Sequence, residues 1–266
     1  ESDAGTLIAF VNGMAREIGK LRPDILISTT AYTNTVKPPK TLRPESNVLI
    51  RFCYTPKCMA IPLDTASNRE YLDNVRKWKG LSPELYVWIY GITYQVHGYP
   101  LPNEQFMAND VRQFYENGIR YFFFEHEDSH IADMYALKVW MEAKLAENPE
   151  ADGRALLKIF MDGYYGPEAG EWILKARRLI AESAREKCRA MGIMAGINAF
   201  NYLTFEVVEA CHGFFDRAAE CAAGDPVKSR RVAEARLSLD RFTLAAVQRL
   251  YKEFRESGGD SAEFPF

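Results

Sequence analysis

Residues 119–130, IRYFFFEHEDSH, end an apolar run in Glu125, His126, Glu127 and Asp128, with His130 two positions further on. Carboxylates and imidazoles gathered in this way can move protons, bind hydroxyls or ligate zinc or manganese. The spacing is not that of a metal motif such as H-E-x-x-H, and Asp128 or Ser129 suits the N-cap of a following helix, so no metal is expected. Glu125 directly follows Phe122, Phe123 and Phe124. Burial beside three rings would disfavour its charged form, which is what a general acid needs. The simpler alternative is that Glu125 orients a substrate hydroxyl or pairs with an arginine such as Arg51.

The elements that must position this cluster follow from periodicity. Residues 24–32, 47–54, 84–90 and 119–125 are apolar, rich in β-branched and aromatic types, and of strand length. They read as buried on both faces, the pattern of parallel strands. Leu7, Ile8, Phe10, Val11, Met14 and Ile18 recur at helical spacing, predicting a helix over 5–20, and further helix patterns lie at 67–79, 103–117 and 130–146. The first connection, TNTVKPPKTLRPES, carries three prolines and reads as an irregular loop. After residue 146 only helices are expected, at 152–162, 167–190, 205–222 and 228–256, the last three packing as a bundle. Within GYYGP, Gly163 or Gly166 ends one helix and Pro167 opens the next; turn and packing roles are preferred there to a binding role for Tyr164 and Tyr165.

The fold class is therefore α/β, with β/α units over 1–147 and a helical region over 148–266. Four parallel strands suit either a small open sheet or half of a (β/α)8 barrel. In a β/α barrel ligands meet the carboxyl ends of the strands. Those ends place Glu125 as the catalytic candidate, and Tyr32, Asn34, Arg51, Tyr54, Trp88, Tyr90, Tyr94, His97, His126 and Glu127 as substrate-binding candidates. Aromatic rings cover the C–H faces of a pyranose and carboxylates take its hydroxyls, so a sugar suits this set. Trp88 and Tyr90, two apart on one strand, share a side and act together or not at all. No phosphate-binding glycine loop is present and no cofactor is expected.

At 266 residues and 47% hydrophobic content the chain can bury a real core, which excludes disorder. The net charge of -3 comes from interleaved acids and bases, with no basic run for nucleic acid. No apolar stretch is long enough to span a membrane. Cys53, Cys58, Cys188, Cys211 and Cys221 form no zinc pattern or disulfide framework; structural or free thiols are the default, and packing is the preferred role of Cys53 and Cys58. In the last helix Leu237, Leu239, Phe242, Leu244, Val247, Leu250, Tyr251 and Phe254 form a stripe read as core, with an oligomer contact as the alternative. The chain starts without Met, as a cut or processed product would, and its cellular address is not readable.

FVNGMARE (10–17), ISTTAYTNTVKPPKTLRPESNVLIRFC (27–53), LYVWIY (85–90), YPLPN (99–103), ENGIRYFFFE (116–125) and DGYYGPEA (162–169) together carry a resemblance. In order and spacing they are similar to a bacterial family of glycosidase-like proteins, domain of unknown function 4838. The resemblance implies a β/α barrel like those of family 20 hexosaminidases and family 67 glucuronidases, of which this chain supplies the last four units. By the same resemblance an upstream segment completes the barrel and carries the general acid, and a periplasmic or secreted setting would suit polysaccharide breakdown. The chain departs from the family pattern in having Ile89 where Trp-Asp-Tyr has its Asp, and His126 where the pattern has Gln. The function expected is that of a glycoside hydrolase-like protein acting on polysaccharide-derived sugars, with a non-catalytic carbohydrate-binding protein as the alternative.

Overall fold

The computed structural model describes residues 2–82, 84–127 and 132–266. Asp128, Ser129 and His130, the expected helix cap and the last member of the metal reading, lie outside the described residues. The chain divides into two compact units: one of residues 1–56, 63–90 and 109–125, the other of 57–62, 91–108 and 126–266.

The first unit is a mixed α/β layer. Its helix α1, Asp3–Leu21, starts two residues before the expected turn because Ser2 caps it, accepting the Gly5 N–H. Four strands, β1 Ile27–Ala31, β2 Val48–Tyr54, β3 Glu84–Tyr90 and β4 Tyr121–Glu125, pair in the order β1-β2-β3-β4, all parallel. Helix α2, Arg69–Lys79, and α3, Met107–Glu116, complete the β/α rhythm. The proline-rich connection is irregular, as expected, and firmly held. Asn12 donates to the Arg43 carbonyl oxygen at 2.8 Å and accepts the Glu45 N–H at 2.9 Å, while Trp78 Nε1 donates to the Val36 carbonyl at 2.8 Å.

The strands are not buried on both faces. Val48, Ile50, Phe52, Leu85 and Val87 pack with Ile8 and Val11 of α1, Leu72, Val75 and Trp78 of α2, and Phe114 of α3 in one core. The alternate residues Ser28, Thr30, Tyr121 and Phe123 are exposed, Tyr121 and Phe123 by 50% and 40%, and Arg51, Tyr86 and Trp88 are half-buried. The period of two in a pleated strand sends these two sets to opposite sides. Uniform hydrophobicity concealed this, because aromatic residues line the uncovered face.

The second unit is helical: α4 Tyr135–Glu147, α5 Gly153–Tyr164, α6 Pro167–Lys187, α7 Phe205–Ala222 and α8 Pro226–Glu256. From α5 onward each helix packs against the next. Asp152 and Asp225 cap α5 and α8 through their side chains. Gly166, at φ +92, separates α5 from α6, which Pro167 opens; that left-handed backbone is why glycine stands there. Residues 57–62 and 91–108 group with these helices. A buried ion network, one cation shared by two carboxylates, holds this unit together. Arg177 of α6 donates from Nε and Nη2 to Glu104 at 2.9 Å, from Nη1 and Nη2 to Asp133 at 2.9 and 2.8 Å, and from Nη2 to the Leu101 carbonyl at 2.9 Å. Lys138 and Ser238 also donate to Asp133, at 2.9 and 2.7 Å. Loop 99–105 and the start of α4 are thereby tied to α6 and α8.

Cys58 and Cys188 form a disulfide, which corrects the reading of free thiols. A parallel bridge continues from it: the Met59 N–H donates to the Met191 carbonyl and the Met191 N–H to that of Lys57, both at 2.9 Å. Spacing could not reveal a pair separated by 130 residues. In α8 the expected stripe divides: Leu239, Phe242 and Leu250 are buried, and Leu237, Leu244 and Tyr251 are exposed. Among the described residues no helix is long and apolar enough to cross a membrane.

Candidate functional site

The uncovered face of the sheet concentrates its polar chemistry at the carboxyl ends of β2, β3 and β4. The register pairs Cys53 with Trp88, Trp88 with Phe123, and Tyr90 with Glu125, so these side chains form adjacent rows. Trp88 Nε1 donates to Glu125 Oε2 at 2.7 Å, and the Trp88 and Tyr90 rings stack at 6.0 Å. Trp88 also meets the edge of Phe123 at 4.5 Å. The pairing of Trp88 with Tyr90 on one side is as the strand period requires.

Arg51 does not pair with Glu125. Its guanidinium carbon sits 5.1 Å from the Tyr86 ring centroid and 5.2 Å from that of Trp88, a cation–π sandwich across β2 and β3. Its Nε is buried without a hydrogen-bond partner among the described residues. A buried donor left in this state is costly, about 1–3 kcal/mol, unless a ligand or water accepts from it. Cys53 shares the face; burial pushes its thiol up, against a hydrogen bond from Tyr90 and the charge of Arg51. It is therefore a thiol and not a thiolate nucleophile at neutral pH.

The three-phenylalanine enclosure expected around Glu125 is reduced to one ring. Phe122 and Phe124 stack on each other on the opposite side, where Phe122 packs against the core, and only Phe123 shares the face of Glu125. Tyr54 also faces the core: it is 6% exposed and packs edge-on against Tyr71 and Phe114. It leaves the substrate-binding set for that reason. Tyr32 closes β1 and leads a 3-10 turn, Thr33–Thr35, its backbone N–H donating to Thr35 Oγ1 at 3.0 Å, with Asn34 exposed in the turn. Neither hydrogen-bonds to the Arg51–Glu125 group. Ile89, where the resemblance has an aspartate, packs on the core side, so that departure removes no carboxylate from the uncovered face.

The remaining candidates belong to the helical unit. His126 Nε2 and Glu142 Oε2 lie 2.5 Å apart, and the His126 ring meets the Tyr135 ring edge-on. Burial raises the Glu142 carboxyl against the opposing pull of His126. Glu127 accepts the Gly98 N–H at 2.5 Å; burial raises its carboxyl as well, opposed by Gly98, Lys138 and His97. His126, Glu127, Asp133, Tyr135 and Lys138 line a narrow pocket with Thr93 and Tyr99. Tyr94 is 40% exposed, its backbone N–H donating to the Ile193 carbonyl at 2.7 Å, and the His97 carbonyl accepts from Arg241 at 3.3 Å.

Tyr86 is a site-face residue that sequence reasoning passed over, although alternation from Trp88 would have found it; Cys53 and Phe123 read, in the sequence, as packing residues. Glu142 carried no signal, since it stands within α4 whereas His126 directly follows β4. No curated protein and no solved structure matches the chain. The sequence profile described as Domain of unknown function (DUF4838) matches residues 1–176, about two thirds of the whole. On that match the chain belongs to the DUF4838 family.

Proposed function

We propose that this chain is part of a glycoside hydrolase-like protein that holds a sugar on the uncovered sheet face, with Glu125 as its ligand-facing carboxylate. The observation that carries the reading is the open Nε of Arg51, buried beside the Trp88 and Tyr86 rings and on the same face as Glu125. A pyranose lays its C–H face on such rings and offers hydroxyls both to a donor and to a carboxylate. The strand order supports a finer fold reading, the second half of a (β/α)8 barrel. Four consecutive parallel strands with one uncovered aromatic face are what half of such a barrel presents when its other strands are supplied from outside these 266 residues.

A second reading, a carbohydrate-binding protein without turnover, has its own support. Among the described residues the other carboxylate on this face of the strands is Glu84, at the opposite end of β3 and about 20 Å away along the strand. Hydrolysis needs paired carboxyls about 5–9.5 Å apart. The test is to assay the whole protein that carries this chain on a panel of aryl glycosides beside its Glu125→Gln variant. Turnover lost at least a hundredfold in Glu125→Gln supports a catalytic carboxylate. Sugar binding without wild-type turnover leaves the binding protein, and neither binding nor turnover ends both readings.

A further inference from the structure

Helices α5 and α6 pack side by side, and Arg154 of α5 with Arg178 and Arg185 of α6 lines a groove of about 420 Å³ there. Leu157 and Ala181, 5% and 7% exposed, supply its apolar lining. All three arginines are exposed, and among the described residues none has a carboxylate within ion-pair distance or a side-chain hydrogen bond. Other exposed arginines of the same unit are paired: Arg217 holds Glu220 at 2.9 Å, and Arg230 holds Glu234 at 2.8 Å. Glu182 also lines the groove, between Arg178 and Arg185 on α6, and stands within ion-pair distance of neither. Three positive side chains against one negative leave the groove with two positive charges in excess.

A guanidinium is weakly hydrated, and its planar fork takes a carboxylate or a similar oxyanion through two parallel hydrogen bonds. Arg178 and Arg185 are seven residues apart, so they share a face of α6 and are separated by about 10 Å along its axis. One small anion does not span that distance. A chain that carries anionic groups at intervals does, and a sugar polymer with a charge on successive or alternate units is such a chain. No aromatic ring lines the groove among the described residues, so the stacking platform on which single-stranded nucleic acid depends is missing.

We propose that this groove binds an acidic oligosaccharide, with uronate or sulfate groups held by Arg154, Arg178 and Arg185. The choice of a sugar chain rests on the sheet-face reading; the preference for charge rests on the groove. The full chain is titrated calorimetrically with hexagalacturonate, a sulfated heparin-derived hexamer, neutral cellohexaose, and single-stranded DNA of six phosphates. At least one acidic hexamer is expected to bind tenfold or more tightly than cellohexaose, and the tighter of the two identifies the anionic group. Arg154→Gln, Arg178→Gln and Arg185→Gln combined should weaken it at least tenfold, and Glu182→Gln should tighten it several-fold. Arg217→Gln, Arg230→Gln and Lys252→Gln combined remove as many charges elsewhere and should leave it unchanged. Equal binding of acidic and neutral hexamers, an equal loss in the two triple variants, or DNA bound as tightly as the acidic hexamers would each overturn the proposal. The sheet-face reading fails instead on aryl glycosides and Glu125→Gln, so the two failures are distinguishable.

Discussion

Replacing Arg177 by Met tests the ion network that organises the helical unit. Arg177 is 2% exposed and shared by two carboxylates, Glu104 at 1% and Asp133 at 5% exposure. Met fills much of the volume, so the loss is chiefly electrostatic. Asp133 keeps Lys138 at 2.9 Å and Ser238 at 2.7 Å, whereas Glu104 is left with the Gln105 amide at 3.1 Å. Breaking a buried pair in this way costs about 3–5 kcal/mol, because one charge stays behind uncompensated. Adding Glu104→Gln should therefore recover about 1–2 kcal/mol of that loss. The pH dependence has a defined sign. Burial opposes ionisation of Asp133, yet Arg177 and Lys138 hold its carboxyl down to about 2. Stability from a lowered carboxyl is present above its unfolded value near 4 and is lost as pH falls toward 2. Arg177→Met removes one of the two charges that hold the Asp133 carboxyl down, so the deficit of the variant should be smaller at pH 4 than at pH 7. Urea unfolding followed by circular dichroism at both pH values measures this. A deficit under about 1 kcal/mol at pH 7, or one that is independent of pH, refutes the reasoning.

Two other perturbations have clear expected outcomes. Burial pushes the Asp110 carboxyl up to about 8 while it accepts the Leu63 N–H at 2.9 Å, so the folded chain binds a proton that the unfolded chain releases. Stability from this group is complete near pH 4 and falls as pH rises to about 8; Asp110→Asn should flatten that slope, and parallel unfolding curves from pH 5 to 8 would argue against a protonated Asp110. The Cys58–Cys188 disulfide closes a separation of 130 residues, for which chain entropy allows up to about 5 kcal/mol. Reductant should lower the thermal midpoint of the wild type and leave that of Cys58→Ala unchanged; equal midpoints with and without reductant in the wild type would remove the bond from the stability account.

The elements were legible in the chain because local signals agreed with the tertiary result. The four strands, the proline-broken connection and the GYYGP boundary all follow from period, β-branching and backbone chemistry. The two-sidedness of the sheet was not legible, since Trp88, Tyr86 and Phe123 look like core residues to any hydrophobicity count. Tyr54 was misjudged for a related reason: position at a strand end suggests a site, but parity decides the face, and the Tyr54 ring is on the core side. Long-range pairs such as Arg177 with Glu104, or Cys58 with Cys188, left no trace in spacing, because their partners are set by packing across 73 and 130 positions.

The alternation within β3 constrains how this chain can change length. Leu85 and Val87 point to the core while Tyr86, Trp88 and Tyr90 point away. A one-residue insertion or deletion between Ser82 and Trp88 would exchange the two sets, driving Tyr and Trp into the helix layer and Leu and Val out of it. It would also break the indole contact to Glu125, whose strand would stay in place. Variation in chain length is thus tolerable in the turns that flank β3 and not inside it, and changes of two residues are the smallest that preserve the side on which Trp88 emerges.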